Sequence, residues 1–294
     1  MTAPIDPVGP RLSPRRRRTF RITLIALAAV LLAATTVALG VAAWGVSTIR
    51  MSSDRQALPA AMRSLVIDTA RIPTAIRITE SRDTTDATAE LRLVDTSRSK
   101  ADRLQVSHDG TQTRIAVADT PSGALRWARG GEIIISLPPE QARRLSIQIR
   151  QHVGVVIAHV NLDQLTARTR NGSVLLGGAA RRVEIHTVDG KIASREPITV
   201  TEEFSATTSD GDITVDFRDV APPKIGAASR DGDVLIGLPE PGPYLVRAQS
   251  GESTRIRVPE TTDAGAAAAE VTARSDEGDV VVDGVGNGRR FGPG

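Results

Sequence analysis

The residues best suited to chemistry sit in three acidic turns, Asp210-Gly211-Asp212, Asp231-Gly232-Asp233 and Asp276-Glu277-Gly278-Asp279. If these turns stack in successive units, their carboxylates align and repel unless water or a cation intervenes. Calcium takes several oxygen ligands at about 2.3–2.6 Å, so Asp210, Asp212, Asp231, Asp233 and Asp279 are the calcium candidates. Asp and Gly also favour turns for conformational reasons alone, with both acids left in water. The G-G-x-G-x-D nonapeptide of calcium β-rolls is missing. The turn reading is therefore preferred, and no metal or cofactor is expected.

The other candidates are weaker. His108, His152, His159 and His186 occur without cysteine and outside any H-E-x-x-H arrangement. His152 and His159 are seven residues apart on β-type sequence and would face opposite sides. Nucleophile-elbow, S-x-x-K and P-loop patterns are missing, and Gly177-Gly178 lacks the rest of any phosphate loop. Asn171-Gly172-Ser173 matches a glycosylation sequon but falls on a turn. Arg143, Arg144, Arg168, Arg170, Arg181, Arg182 and Arg195 could line one face and meet an acidic polymer. Nearby acids favour an ordinary mixed surface instead. Beyond the N-terminal region the aromatics are Trp127, Phe204, Phe217, Tyr244 and Phe291, too few for a sugar cleft or a single-stranded nucleic-acid platform. The chain is not expected to be an enzyme.

The elements that would hold these residues begin with an apolar run. Ile22 to Val46 is uncharged over 25 residues, about 37 Å as a helix and enough to cross a bilayer. Arg15, Arg16, Arg17, Arg18 and Arg21 flank its start, and Trp44 falls near its end. The positive-inside rule then puts the N-terminus in the cytoplasm and the rest outside. The run is long for a cleavable signal. Arg17-Arg18-Thr19-Phe20 resembles a twin-arginine core, but any arginine cluster beside a membrane helix can. The expected order is a basic cytoplasmic tail (1–19), a transmembrane helix (20–48), a linker or short helix (49–63), an all-β repeat ectodomain (64–285) and a disordered tail (286–294).

The tail and helix also account for the charge. The net charge is +3, yet the first 50 residues carry seven arginines against one acid. The remainder is acidic on balance, so the basic pI is poor evidence for nucleic-acid binding. The absence of cysteine excludes disulfides, and a core must come from Val, Ile, Leu and Ala. Arginine far outnumbers lysine, which suggests a bacterial source.

From Ser64 onward the pattern is β. Leu104–Val106 and Thr113–Val117 flank Asp109-Gly110 and read as a hairpin, with positive φ expected at both central residues. Pro138-Pro139 should stop a strand at Ile133–Leu137, and Ala264–Glu270 could form one or two helical turns. Glycines recur at Gly154, Gly172, Gly190, Gly211, Gly232, Gly251 and Gly278, with spacings of 18, 18, 21, 21, 19 and 27. Each sits in a polar turn before a strand, as in Thr208-Ser209-Asp210-Gly211-Asp212-Ile213 and Ser229-Arg230-Asp231-Gly232-Asp233-Val234. From Asp212 to Phe217 the alternation puts Ile213, Val215 and Phe217 on one side. Two strands per unit predict a β-solenoid or a rolled β-meander.

These units resemble the DUF4097 type of bacterial "putative adhesin". The resemblance rests on Ile135-Ser136-Leu137-Pro138-Pro139, Leu145-Ser146-Ile147, Ser209–Ile213, Arg230–Val234 and Asp276–Val280, and covers about residues 64–285. The units at Gly154, Gly172, Gly190 and Gly251 depart from it by lacking the following Asp. The resemblance implies an all-β, envelope-facing repeat domain and carries over no catalytic residue. The expected function is a membrane-anchored, extracytoplasmic scaffold binding an envelope protein or cell-wall polymer. The alternatives are a sensory module signalling through the single helix, or a glycan-active enzyme on a solenoid.

Overall fold

The computed structural model describes residues 50–70, 72–95, 104–117 and 130–285. The expected cytoplasmic tail, transmembrane helix and C-terminal tail, with Arg15–Arg18, Arg21 and Trp44, lie outside the described residues, as do Trp127 and Phe291. Among the described residues no helix is long and apolar enough to cross a membrane. The stretch expected as a linker holds strand β1, Arg50–Ala57, which pairs with β4, Thr88–Asp95.

A parallel solenoid begins at β8, Ser146–His159, the longest strand. Its first half joins one sheet (sheet 1) and its second half another (sheet 2), with the bend at Gly154. Each later coil repeats this path as a sheet 1 strand, a glycine turn and a sheet 2 strand. The coils are β9–β10 (Leu162–Asn171, Val174–Gly177), β11–β12 (Ala179–Asp189, Ile192–Ser194), β13–β14 (Thr199–Asp210, Ile213–Asp216) and β15–β16 (Lys224–Asp231, Val234–Leu238). Neighbouring coils pair in parallel. Parallel pairing decides between the two expected architectures, because a rolled meander would pair its strands antiparallel.

Stacking order departs from chain order at both ends. The last coil, β19–β20 (Glu270–Glu277, Val280–Gly284), lies against β15–β16. The earlier coil β17–β18 (Leu245–Ser250, Thr254–Arg257) sits outside it. At the other end β2 (Ser64–Asp68) and β3 (Thr74–Glu80) pair directly with β8. The later strands β6 (Gln112–Val117) and β7 (Gly130–Leu137) lie beyond them. Two antiparallel pairs close this end, β5 (Leu104–Asp109) on β6 and β4 on β7.

The core follows from alternation plus registry. Ile133, Ile76, Val156, Val174, Ile192, Ile213, Val234 and Val280 form one column in sheet 2, each with 0% exposure. β-branched side chains suit this pleated stack, and burying each contributes about 1.5–3 kcal/mol. Ile213, Val215 and Phe217 point inward as expected, and Phe217 meets Phe204 edge-on at 5.3 Å between ring centroids.

Two local expectations need correction. The β5–β6 hairpin forms, but Asp109 pairs with Gln112, so the central residues are Gly110 and Thr111, and only Gly110 has positive φ. Ala264–Glu270 forms turns rather than helix, with Asp263 Oδ1 accepting the Gly265 N–H at 2.8 Å. Glycine supplies no side chain to hold a helix there, and Ala269 is instead buried at the start of β19. The single helix among the described residues is α1, Pro139–Ala142, directly after the Pro-Pro break.

The glycine turns are sterically obligatory. A Cβ on Gly190 would stand 2.2 Å from the Gly172 carbonyl oxygen, and one on Gly211 would stand 2.5 Å from that of Gly190. Their φ angles of +145° and +131° are also rare for residues with side chains. Gly278 continues this column over Gly232, whereas Gly251 abuts Asp276 and stands off it. The long final interval in the sequence reflects the return turn 258–269 between β18 and β19. Gly211→Ala should destabilise the fold by more than about 3 kcal/mol in urea unfolding. Gly110→Ala, with φ of +58° and open space, should cost about 1 kcal/mol.

Candidate functional site

Three carboxylates of the acidic turns bond the neighbouring coil. Asp212 Oδ1 accepts the Asp233 N–H at 3.2 Å, and Asp233 Oδ1 accepts the Asp279 N–H at 2.9 Å. Asp279 Oδ1 in turn accepts from Ser253 N–H and Oγ at 3.1 and 2.7 Å. Each carboxylate thus fastens its coil to the next through a charge-assisted bond. Asp189, Asp210 and Asp231 align in register on the other side of the glycines. Among the described residues no three His, Asp or Glu side chains converge on a metal position.

A second ladder runs inside the same turns. Before Gly190, Gly211, Gly232 and Gly278 the residue three earlier points inward and its hydroxyl donates to the glycine carbonyl one coil away, whereas the buried Thr169 hydroxyl before Gly172 has no such bond. The bonds are Thr187 to Gly172 at 3.4 Å, Thr208 to Gly190 at 3.4 Å, Ser229 to Gly211 at 3.0 Å and Ser275 to Gly232 at 2.7 Å. Sequence reading noted these Ser and Thr residues only as part of a polar turn. Their fixed offset from glycine was the signal for their role.

The remaining candidates separate by location. His108 pairs with Thr113 at 3.2 Å and His186 lies beside Thr207. His152 and His159 fall on different sheets, either side of Gly154. Asn171 donates its amide to Asp189 at 2.9 Å. Phe204, Phe217 and Tyr244 are core residues and offer no stacking platform.

The arginines also divide. Arg181 bridges Asp163 at 2.8 Å and Glu202 at 2.6 Å. The hydrogen bond from Arg181 holds the Asp163 carboxyl below the usual carboxylate range, and Asp163 and Glu202 raise the Arg181 guanidinium. Arg182 pairs with Glu203 at 3.6 Å, and Arg143 with Glu140 at 3.3 Å.

Another set remains, on the outer face of sheet 1. Arg150 stands in register with Arg168, and Arg168 with His186. His152 and Arg170 follow two residues further along the same strands, and all five are exposed. Strand neighbours are about 4.8 Å apart, and like charges directly opposite are destabilising. Arg168 reaches Glu184 at 3.4 Å. Arg150 and Arg170 make no ion pair among the described residues; Asp68, in register with Arg150 on its other side, is paired with Arg114 at 3.0 Å. Val153 and Val188, 41% and 52% exposed, border the set. Arg150, Arg168 and His186 each lie four residues before a column glycine, so the repeat offset would have grouped them.

This arrangement can hold a flat array of negative charge. It lies on β8, β9 and β11, ahead of the coils that carry most of the strand-turn words. Residues 155–283 match the family model described as Toastrack DUF4097. The Toastrack match runs from within β8 to within β20, and it bears out the resemblance drawn from those words. Solved structures similar to this chain include a "putative adhesin" from Parabacteroides distasonis, 12% identical with a TM-score of 0.47, covering 80% of this chain and 97% of its own. Another is a "putative adhesin" from Bacteroides fragilis, 14% identical with a TM-score of 0.45, covering 79% and 97%. A "putative cell adhesion protein" from Clostridium sporogenes is 7% identical with a TM-score of 0.38, covering 80% and 99%. No curated protein matches the chain.

The Arg181–Asp163 pair gives a direct pH test within the matched coils. A lowered folded pKa makes the pair stabilising above the unfolded carboxylate value, an effect lost as pH falls through the folded one. Arg181→Ala should return the Asp163 titration, followed by NMR, towards the ordinary value near about 4. The variant should also flatten the acid limb of the stability curve, by a small amount because the pair is exposed.

Proposed function

We propose that this chain is a non-enzymatic, adhesin-like scaffold of the bacterial envelope, anchored by residues 20–48 with residues 1–19 in the cytoplasm. Its outer sheet 1 face holds an acidic cell-wall polymer at Arg150, Arg168 and Arg170. The observation that carries this reading is the in-register Arg150–Arg168 pair with Arg170 beside it; of the nearby acids, Glu184 pairs with Arg168, and Asp68, in register with Arg150, pairs with Arg114. A regular strand spacing matches a polymer with closely repeating anionic groups, and surface arginines bind such groups without any catalytic machinery. The Toastrack match supports the repeat architecture on which the face depends. No nucleic-acid partner is invoked, because stacking platforms are missing from the face and the chain's excess charge lies in the N-terminal segment.

Two measurements test the proposal. Full-length protein should sediment with purified anionic cell-wall polymer in a salt-sensitive way, and the triple variant R150A/R168A/R170A should lose roughly tenfold in affinity. Unchanged, salt-insensitive binding by that variant would remove the assignment. For topology, the native absence of cysteine allows single labels. In intact cells a membrane-impermeant maleimide should modify Glu252→Cys and spare Thr2→Cys, and the reverse pattern would overturn the orientation.

A further inference from the structure

The solenoid edge opposite the glycine turns varies in length from coil to coil. Return turns comprise Val160 and Asn161 after β8 and Gly178 alone after β10, then residues 195–198, 217–223, 239–244 and 258–269. In repeat proteins, insertions gathered on one side often mark a binding face. Here the two shortest turns form a floor. The loop 81–87 rises on one side and 217–223 on the other. Between them lies a trough of about 450 Å³, with Thr79, Glu80, Arg82, His159, Asn161 and Arg218 as its polar lining.

The trough sets two guanidinium groups, Arg82 and Arg218, against one lining carboxylate, Glu80, whose Oε1 accepts the Asn161 N–H at 2.6 Å. Arg82 has no acidic partner among the described residues. Arg218 has only the neighbouring Asp219 at 3.6 Å, with both side chains at least half exposed. Asp219 also accepts the Thr199 hydroxyl at 3.4 Å. The His159 ring lies over the bare backbone of Gly177, where a Cβ would meet its Nδ1 at 3.2 Å. His159 and Asn161 line the trough together with Arg82 and Arg218.

An apolar recess adjoins the floor, and Val160 and Gly178 line both spaces. Leu162, Leu176, Ile198 and Val200 complete its walls. Its volume of about 20 Å³ suits a single water-sized or methyl group and no longer chain.

We propose that this trough binds the free carboxyl terminus of a peptide ending in an alanine-sized residue. The carboxylate lies between Arg82 and Arg218, the terminal methyl enters the recess, and His159 and Asn161 bond the last amide. The site is separate from the sheet 1 arginines and does not depend on the polymer reading. Full-length protein in detergent is titrated with fluorescein-labelled Gly-Ala-Ala carrying a free carboxylate, read by anisotropy. Amidating the peptide, or replacing its last residue with leucine, should weaken binding at least tenfold. R82A/R218A should do the same, and both side chains are exposed enough for the variant to fold. R150A/R168A/R170A should bind the peptide as wild type does. Equal binding of the amidated peptide, undiminished binding by R82A/R218A, or displacement by equimolar inorganic phosphate would each overturn the assignment.

Discussion

Every coil crosses from one sheet to the other through a turn that lies directly against the carbonyl of its neighbour. No side chain fits into that contact, so glycine at the crossing is the condition for stacking at all. Once the backbones approach this closely, the rest of the coil is brought into register. Hydroxyls three residues earlier reach the neighbouring glycine carbonyls, and aspartates one residue later reach the neighbouring amides. The Ile and Val columns then fall on one another without large aromatic side chains to fill gaps.

The same registry that builds the core also organises the surface. A parallel stack repeats each outward position at one spacing, so residues of one type become a row. On sheet 2 the outward row of Ile157, Leu175, Ala193, Thr214, Leu235 and Val281 is aliphatic or small. On sheet 1 the rows are charged, and most arginines have found acids across the stack. Conformational constraint therefore concentrates on the glycine edge, while the return edge is free to change length.

Much of this was legible in the sequence. The Asx-Gly turns, the period-two alternation and the Pro-Pro break placed the strands, because each is a local property of the chain. The order of the coils was not. β19–β20 and β17–β18 carry similar local patterns, and which one meets β15–β16 depends on backbone contact at Gly232, with Gly278 fitting and Gly251 standing aside. The acidic turns were read as carboxylates in water or around calcium, since sequence cannot show an amide one coil away. Order along the chain neither brings Arg150 to Arg168 and Arg170 nor separates them from the ion-paired Arg181 and Arg182. Reading outward positions at a constant offset from each glycine would have separated them.

The inserted coils bear on how the molecule carries load. Strand β20 is bonded on one side to β16 and on the other to β18. Tension entering at Gly284 therefore acts on a strand held from both flanks. A terminal strand at the tip of a stack could be peeled away one bond after another. Here both rows of bonds must shear together, so the last strand among the described residues is protected by the coil that precedes it.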